Sequence, residues 1–210
     1  MDISKLAFIK AKLSEEEKPG EEAHRLMMSY NRAVASEARS FDPPPKESAV
    51  LMILHPRNNE LHTLFIQRPE NQGVHSGQIS FPGGKKELTD DDLLNTAYRE
   101  TFEEIGLEES KLEYLGALSE LYIPPSNFIV QPYVAFCDHE PQLTPSADEV
   151  SEVIHFPLGQ LLGQNELQKK KIYLQKFDLH LEVPYFDIYG KTLWGATAMM
   201  IAEFKLLIQK

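Results

Sequence analysis

Cysteine is nearly absent from this chain. Cys137 stands alone among 210 residues, which excludes a disulfide framework and any zinc site built on several thiolates. A cytoplasmic location is the reading this favours. Long apolar runs are also missing, and no uninterrupted stretch approaches the about 20 residues that a membrane span requires. The opening segment, residues 1–18, scatters charges through its apolar positions and does not read as a secretory signal. Positive charge is in deficit: 21 Lys and Arg face 32 Asp and Glu, a formal charge of −11. That balance argues against nucleic acid or an anionic membrane as a general partner, and a phosphorylated substrate would need metal ions and a local basic rim. Internal repeats and low-complexity tracts are absent. What is present, 42% hydrophobic and 25% charged residues, is the composition of a globular domain long enough to bury a substantial core.

The chain divides at Pro43-Pro44-Pro45, since three prolines continue neither a helix nor a ladder. Before them, residues 3–13 have helical spacing (Ile3, Leu6, Ala7, Leu13), and a second helix is expected around 21–35 after the breaker Pro19-Gly20. Residues 1–45 thus read as a helical arm packed on the domain or on a second copy, which makes a homodimer one expectation. Residues 46–210 form the main domain. Its expected elements are strands at 49–54 and 61–67 about an Asn58-Asn59 turn, a loop at 69–80, and a helix after Thr89. Strands at 112–122, 127–137 and 149–156, a short helix at 157–163, strands at 171–176 and 178–187, and a last helix at 194–208 follow. The order predicts a mixed α/β (α+β) fold, a sheet sandwiched between helices.

The helix after Thr89 carries the chemistry. Thr89 serves as its expected N-cap, and Asp90, Asp91 and Asp92 suit a first turn. At 100° per residue Leu93, Leu94, Ala97, Tyr98, Thr101 and Ile105 make one buried stripe. Glu100 and Glu104 fall at its edge with Glu103 just outside, and Arg99 stands one turn before Glu103. Glu100 and Glu104, one turn apart, cost the helix a few tenths of a kcal/mol. Carboxylates grouped at a core margin suit Mg²⁺ or Mn²⁺; a solvated acidic face is the competing reading of the spacing.

Arg99-Glu100-Thr101-Phe102-Glu103-Glu104-Ile105-Gly106-Leu107 resembles the second half of the Nudix box, R-E-U-x-E-E-x-G-U with U apolar. The first half departs from the pattern: Gly84 lies fifteen residues before Arg99 rather than fourteen, and Asp91 stands where glutamate is usual. The resemblance implies a Nudix-type fold and a hydrolase that cuts a diphosphate linked to another group. It implies Glu100 and Glu104 as the main divalent-metal ligands, with Glu103 and the Gly84 carbonyl in support. Upstream, Leu64–Arg68 and Gly77-Gln78-Ile79-Ser80-Phe81-Pro82-Gly83-Gly84 are similar to the extra motif of the coenzyme A diphosphatase branch. There Ile66 replaces a threonine and Gly73 an arginine. Trp194–Ala198 is similar to that branch's last-helix signature.

The substrate so implied is coenzyme A or an acyl form. ADP-ribose, a dinucleotide or another nucleoside diphosphate derivative is the alternative, and a non-catalytic nucleotide sensor is the alternative of another class. Arg68, Lys85 and Lys86 are candidates for gripping phosphate, His75 for replacing the missing arginine, and Glu149 for general base. Each has a plainer reading, as a strand-end cation, as charges balancing an acidic neighbourhood, as a solvated loop histidine and as a solvated carboxylate. Trp194 reads as a core anchor. Tyr122 and Phe128 read as core packing or as stacking partners for a base.

Overall fold

The computed structural model describes residues 1–70, 76–174 and 178–209. The expected strand at 49–54 is the centre of a longer one, β1 (Lys46–Arg57), and the turn at Asn58-Asn59 returns it as β2 (Glu60–Gln67). Both asparagines take positive φ, a conformation asparagine tolerates better than most side chains. β1 is apolar on both faces because both faces are covered. Ala49, Leu51 and Ile53 pack with Ala97, Tyr98 and Ile105, whereas Met52 and Leu54 join a larger cluster with Leu13, Met200 and Phe204. Alternation along one strand therefore feeds two cores.

The remaining elements are arranged around β1. Two short strands, β3 (Ile79–Ser80) and β4 (Gly83–Lys85), precede the acidic helix α4 (Leu93–Ile105). In the N-terminal region lie α1 (Leu6–Leu13), α2 (Gly20–Leu26) and α3 (Ala35–Ala38). After α4 come β5 (Glu113–Ala117), β6 (Leu121–Ile123), β7 (Phe128–Phe136), β8 (Glu152–Pro157) and α5 (Leu158–Gly163). β9 (Gln168–Leu174), β10 (Leu179–Ile188) and β11 (Lys191–Trp194) then lead to α6 (Ala196–Gln209). The main sheet runs β3-β2-β1-β7-β5, with β4 added on β1, β6 on β7 and β8 on β2; β9–β11 form a second, antiparallel sheet. β1 and β7 are parallel and their neighbours antiparallel, so the sheet is mixed, and helices lie against both faces as expected.

Several expected bounds shift for physical reasons. The strand at 112–122 is two strands, β5 and β6, separated by Leu118–Glu120. Gly116 has φ +153°, and a Cβ there would meet Leu13 of α1. The helix expected at 21–35 stops at Leu26, and residues 27–34 cross to α3 without regular structure. The start of α4 also moves: Asp92 caps it by accepting from the Asn95 amide at 2.8 Å, and Thr89 does not. The strand expected at 171–176 runs from Gln168, and Gln175 and Lys176 lie outside the described residues. Among the described residues no helix is long and apolar enough to cross a membrane.

The arm packs on its own chain. Ile9 and Leu13 are fully or almost fully buried in the larger core and Leu6 packs half-buried against it, whereas Ile3 and Ala7 of the expected stripe are exposed. α2 docks on α6 through a buried polar cluster. The Glu203 carboxylate accepts from the Gly20 amide, the Ser119 amide and hydroxyl, and contacts His24 Nε2 at 2.9 Å. Burial would raise the Glu203 pKa, but the His24 and Ser119 hydrogen bonds outweigh it and hold it below the ordinary carboxylate value.

Replacing Glu203 by alanine is expected to destabilise the fold by about 3 kcal/mol, since it strands buried donors from two segments. Urea unfolding checks this. Because the folded pKa is lowered, the stability Glu203 contributes is present above the unfolded value and is lost as pH falls through the folded one.

Candidate active site

α4 ends where the chain must reverse. Gly106 takes φ +70°, and its amide caps the helix on Phe102; that conformation costs a Cβ-bearing residue. The two turns before it present the acidic residues as the spacing predicted, with Thr101 and Ile105 buried and Phe102 and Glu103 exposed. Glu104 lies deepest, at 1% exposure. Its carboxylate accepts from the Gly83 amide at 2.8 Å and faces Arg68 Nη2 at 3.4 Å. Burial pushes its pKa up to about 7; the Gly83 amide and Arg68 pull against that, and the charges of Glu100 and Glu149 add to it. Glu100 is also raised, mainly by burial, with Arg99 opposing.

Arg99 holds the array together. It grips Asp90 with two hydrogen bonds, Nε at 2.8 Å and Nη2 at 3.0 Å, and donates to Glu100 at 3.1 Å, Glu103 at 2.9 Å and the Lys85 carbonyl at 3.0 Å. Asp90 beside it keeps its carboxyl far below the usual range. Asp90 was expected in the first helical turn, where a dipole suffices to explain it. It lies instead in the preceding loop as the counter-ion of Arg99. No spacing rule relates two residues nine apart across a loop, so nothing in the pattern marks the pair.

Gly83 and Gly84 make β4 possible. At Gly83, φ is +149°, and a Cβ would collide with the backbone of Ala49 and Val50; at Gly84 it would sit against the Glu100 carboxylate. The absence of a side chain at Gly84 therefore lets the Glu100 carboxylate lie against the β4 backbone, whose carbonyl is a further oxygen. Oxygen-only donors, a surplus of carboxylates over cations and this glycine cradle fit a hard divalent cation. Glu103 turns outward to Arg99, half exposed, which leaves Glu100 and Glu104 as the inner pair. Among the described residues, three ligand atoms lie within 4.8 Å of one another only at Cys137, Asp138 and His139, past the far end of β7, where Asp138 and His139 are exposed.

A cavity of about 330 Å³ opens beside Gly83-Gly84, lined by the cations Arg68 and Lys85 and by the apolar Phe128, Leu181, Trp194 and Met200. Arg68 thus serves as both a cavity wall and a neighbour of Glu104. Lys86 does not line the cavity; its amide pairs with the Glu47 carbonyl. Trp194 corrects the expectation of a core anchor: it is half-buried on the cavity wall, and the adjacent Leu193 takes the core position. Phe128 faces the cavity with Lys46 over its ring, while Tyr122 packs beneath Ala35 and Ala38. Glu149 is exposed in a loop pinned to the end of α4 by the Thr144 and Ser146 amides, which donate to Ile105 and Glu104 carbonyls. Gly73 and His75 lie outside the described residues.

Residues 45–176 match the family description of the NUDIX domain. The chain is 36% identical over 124 residues, 59% of its length, to the peroxisomal coenzyme A diphosphatase NUDT7 of Mus musculus. That match spans only about half, 52%, of the mouse protein. It is 33% identical to the mitochondrial coenzyme A diphosphatase NUDT8 of Homo sapiens, over 83% of this chain and 74% of that one. Among solved structures, a MutT protein from Methanosarcina mazei superposes with a TM-score of 0.52 at 20% identity, covering 81% of this chain and 99% of that one; this likeness concerns the fold alone.

Two measurements test the site. Gly84→Ala leaves the backbone unstrained but displaces Glu100, so Mn²⁺ affinity read by electron paramagnetic resonance is expected to fall about 10–100-fold with little change in melting temperature. In chelator, the folded protein holds a proton on Glu104 up to about pH 7, whereas the unfolded chain releases it in the ordinary carboxylate range. Stability should therefore fall as pH rises across that window, and Glu104→Gln should flatten the slope.

Proposed function

The chain belongs to the Nudix hydrolase family, and from that premise we propose that it hydrolyses the diphosphate of coenzyme A or an acyl-coenzyme A. The products are 3′,5′-ADP and the phosphopantetheine fragment. The observation that carries the reading is the placement of one cavity. It is walled by Gly83-Gly84, which touch Glu104 and Glu100, has Arg68 and Lys85 in its lining, and joins to these the apolar walls of Leu181, Trp194 and Met200. A substrate with a diphosphate at its centre and a long uncharged arm suits such a shape. The relatives named as coenzyme A diphosphatases support the same choice.

Glu100, Glu104 and the Gly84 carbonyl, with Glu103 in support, would hold Mg²⁺ or Mn²⁺. When bound, such an ion neutralises charge on the diphosphate oxygens and acidifies a water. The protein's own groups do the rest. Asp90 fixes Arg99, and Arg99 in turn fixes Glu100 and Glu103. Arg68 keeps Glu104 in place from the cavity side and presents its remaining donors to substrate phosphate, with Lys85 at the rim. Glu149 takes the proton of the attacking water as its oxygen bonds to phosphorus. The bridging P–O bond breaks, and its electron pair leaves with the departing phosphate.

The decisive test is a panel of coenzyme A, acyl-coenzyme A, ADP-ribose, NADH and diadenosine polyphosphates with Mg²⁺ or Mn²⁺. Coenzyme A or its acyl form is expected to give the highest kcat/KM. Glu104→Gln should lose at least about a hundredfold in kcat, the scale of losing one group that stabilises developing charge. Glu149→Gln should also fall by about a hundredfold or more, and full activity there would remove it as the base. Preferred cleavage of ADP-ribose would displace the coenzyme A assignment, and tight binding without turnover would favour a sensor.

A further inference from the structure

The far end of the cavity holds a cation that the hydrolytic scheme leaves unused. Residues 27–34, between α2 and α3, bring Tyr30 and Arg32 to the cavity wall. The chain has six arginines. Arg25, Arg39, Arg57, Arg68 and Arg99 each pair with a carboxylate. Among the described residues Arg32 pairs with none. Its Nε is buried without a hydrogen-bond partner, and its Nη1 makes only a long bond, 3.5 Å, to the Tyr122 carbonyl. The guanidinium lies over the Tyr30 ring at 5.3 Å. Burial lowers its pKa, with no carboxylate to oppose the shift. A desolvated guanidinium without an anion is unfavourable, and in a chain with 32 acidic residues its isolation beside a cavity points to an anion brought by the ligand.

We propose that Arg32, backed by Tyr30, receives a phosphate monoester at the nucleoside end of the substrate, so that the N-terminal arm selects nucleotides phosphorylated beyond the diphosphate. This rests on the hydrolytic reading above, with 3′-phosphorylated adenosine as the group that fits. The spacing agrees. Tyr122, which accepts from Arg32, faces Ile129 of β7, and Ile129 faces Glu47 of β1; Gly84 faces Ala49 of β1 from the other side. Glu47 and Ala49 stand two residues apart on β1, so the two ends lie three strands and two residues apart, ~16 Å at ordinary spacing, less the reach of the arginine side chain. Pro125 and Phe128 line the same cavity, offering apolar surface to a base and ribose. A planar guanidinium is suited to two oxygens of one phosphate.

The test compares kcat/KM for coenzyme A with that for dephospho-coenzyme A, which lacks only the 3′-phosphate, in wild type, Arg32→Gln and Arg32→Lys. The expected result is a wild-type preference for coenzyme A that falls about 10–100-fold in Arg32→Gln, the scale of charge-assisted hydrogen bonds to phosphate, with part of it restored in Arg32→Lys. An unchanged ratio in Arg32→Gln overturns the proposal, as does a proportional loss on both substrates. Should wild type cleave neither compound, the hydrolytic reading fails separately. Calorimetric binding of 3′,5′-ADP and 5′-AMP then decides the Arg32 question: a loss in Arg32→Gln confined to 3′,5′-ADP upholds it, and no difference between the two ligands overturns it.

Discussion

The hydrogen bond from the Gly83 amide to the Glu104 carboxylate is the constraint on which the site depends. It joins a helix to a strand through a side chain that is almost wholly out of water. A lone carboxylate in that position would be strongly disfavoured. The amide and Arg68 make it tolerable without fully compensating it, which is why its proton affinity stays high. The same contact sets the distance between α4 and β4 and thereby places Gly84 against Glu100. The backbone of β4 is tied just as firmly on its other side, since Gly83 and Gly84 pair with Val50 and Ala49. Helix, glycine turn and central strand therefore form one unit, and its charge imbalance is a property of the folded geometry.

What the sequence disclosed follows from how regular each feature is. The apolar stripe of α4 and the place of Glu100 at its margin are consequences of a 3.6-residue period and appear as read, whereas Glu104 goes deeper than its edge position suggests. The run Ala49–Leu54 was legible as a buried strand because it lacks polar alternation, and the two cores on its faces explain that lack. β4 was not legible, because a three-residue strand containing two glycines has no side-chain pattern. The start of α4 shifts because Thr89 followed by three aspartates has the pattern of a cap and a first turn; instead Asp92 caps, while Asp90 is drawn off by Arg99. Trp194 was misassigned because a large apolar ring suits a core and a cavity wall equally, and only the neighbouring Leu193 decides between them.

Arg32 was invisible for a different reason. It lies in a stretch whose helical spacing continues on paper past Leu26 but whose backbone leaves the helix there. The stretch between α2 and α3 follows from anchors at both ends: Glu203 binds α2 at one, and Ala35 and Ala38 pack on Tyr122 and Ile129 at the other. Tertiary contacts thus override a local preference, and the cost of the broken helix is offset by burial at each anchor.

The docking of α2 on α6 also bears on how this enzyme can change over time. The carboxylate array is built from residues 83–104, whereas Tyr30 and Arg32 reach the cavity from a stretch without regular structure, tied around Glu203 on one side and by Ala35 and Ala38 on the other. An irregular stretch secured only at its ends opens more readily than a core strand such as β1. Substitutions around Tyr30 and Arg32 can then accumulate without disturbing the carboxylate array, while Ile9 and Leu13 of the same arm stay held by the core. A lineage can thus change what meets one side of the cavity by rewriting a short irregular stretch, while the helix and the glycine turn are inherited intact.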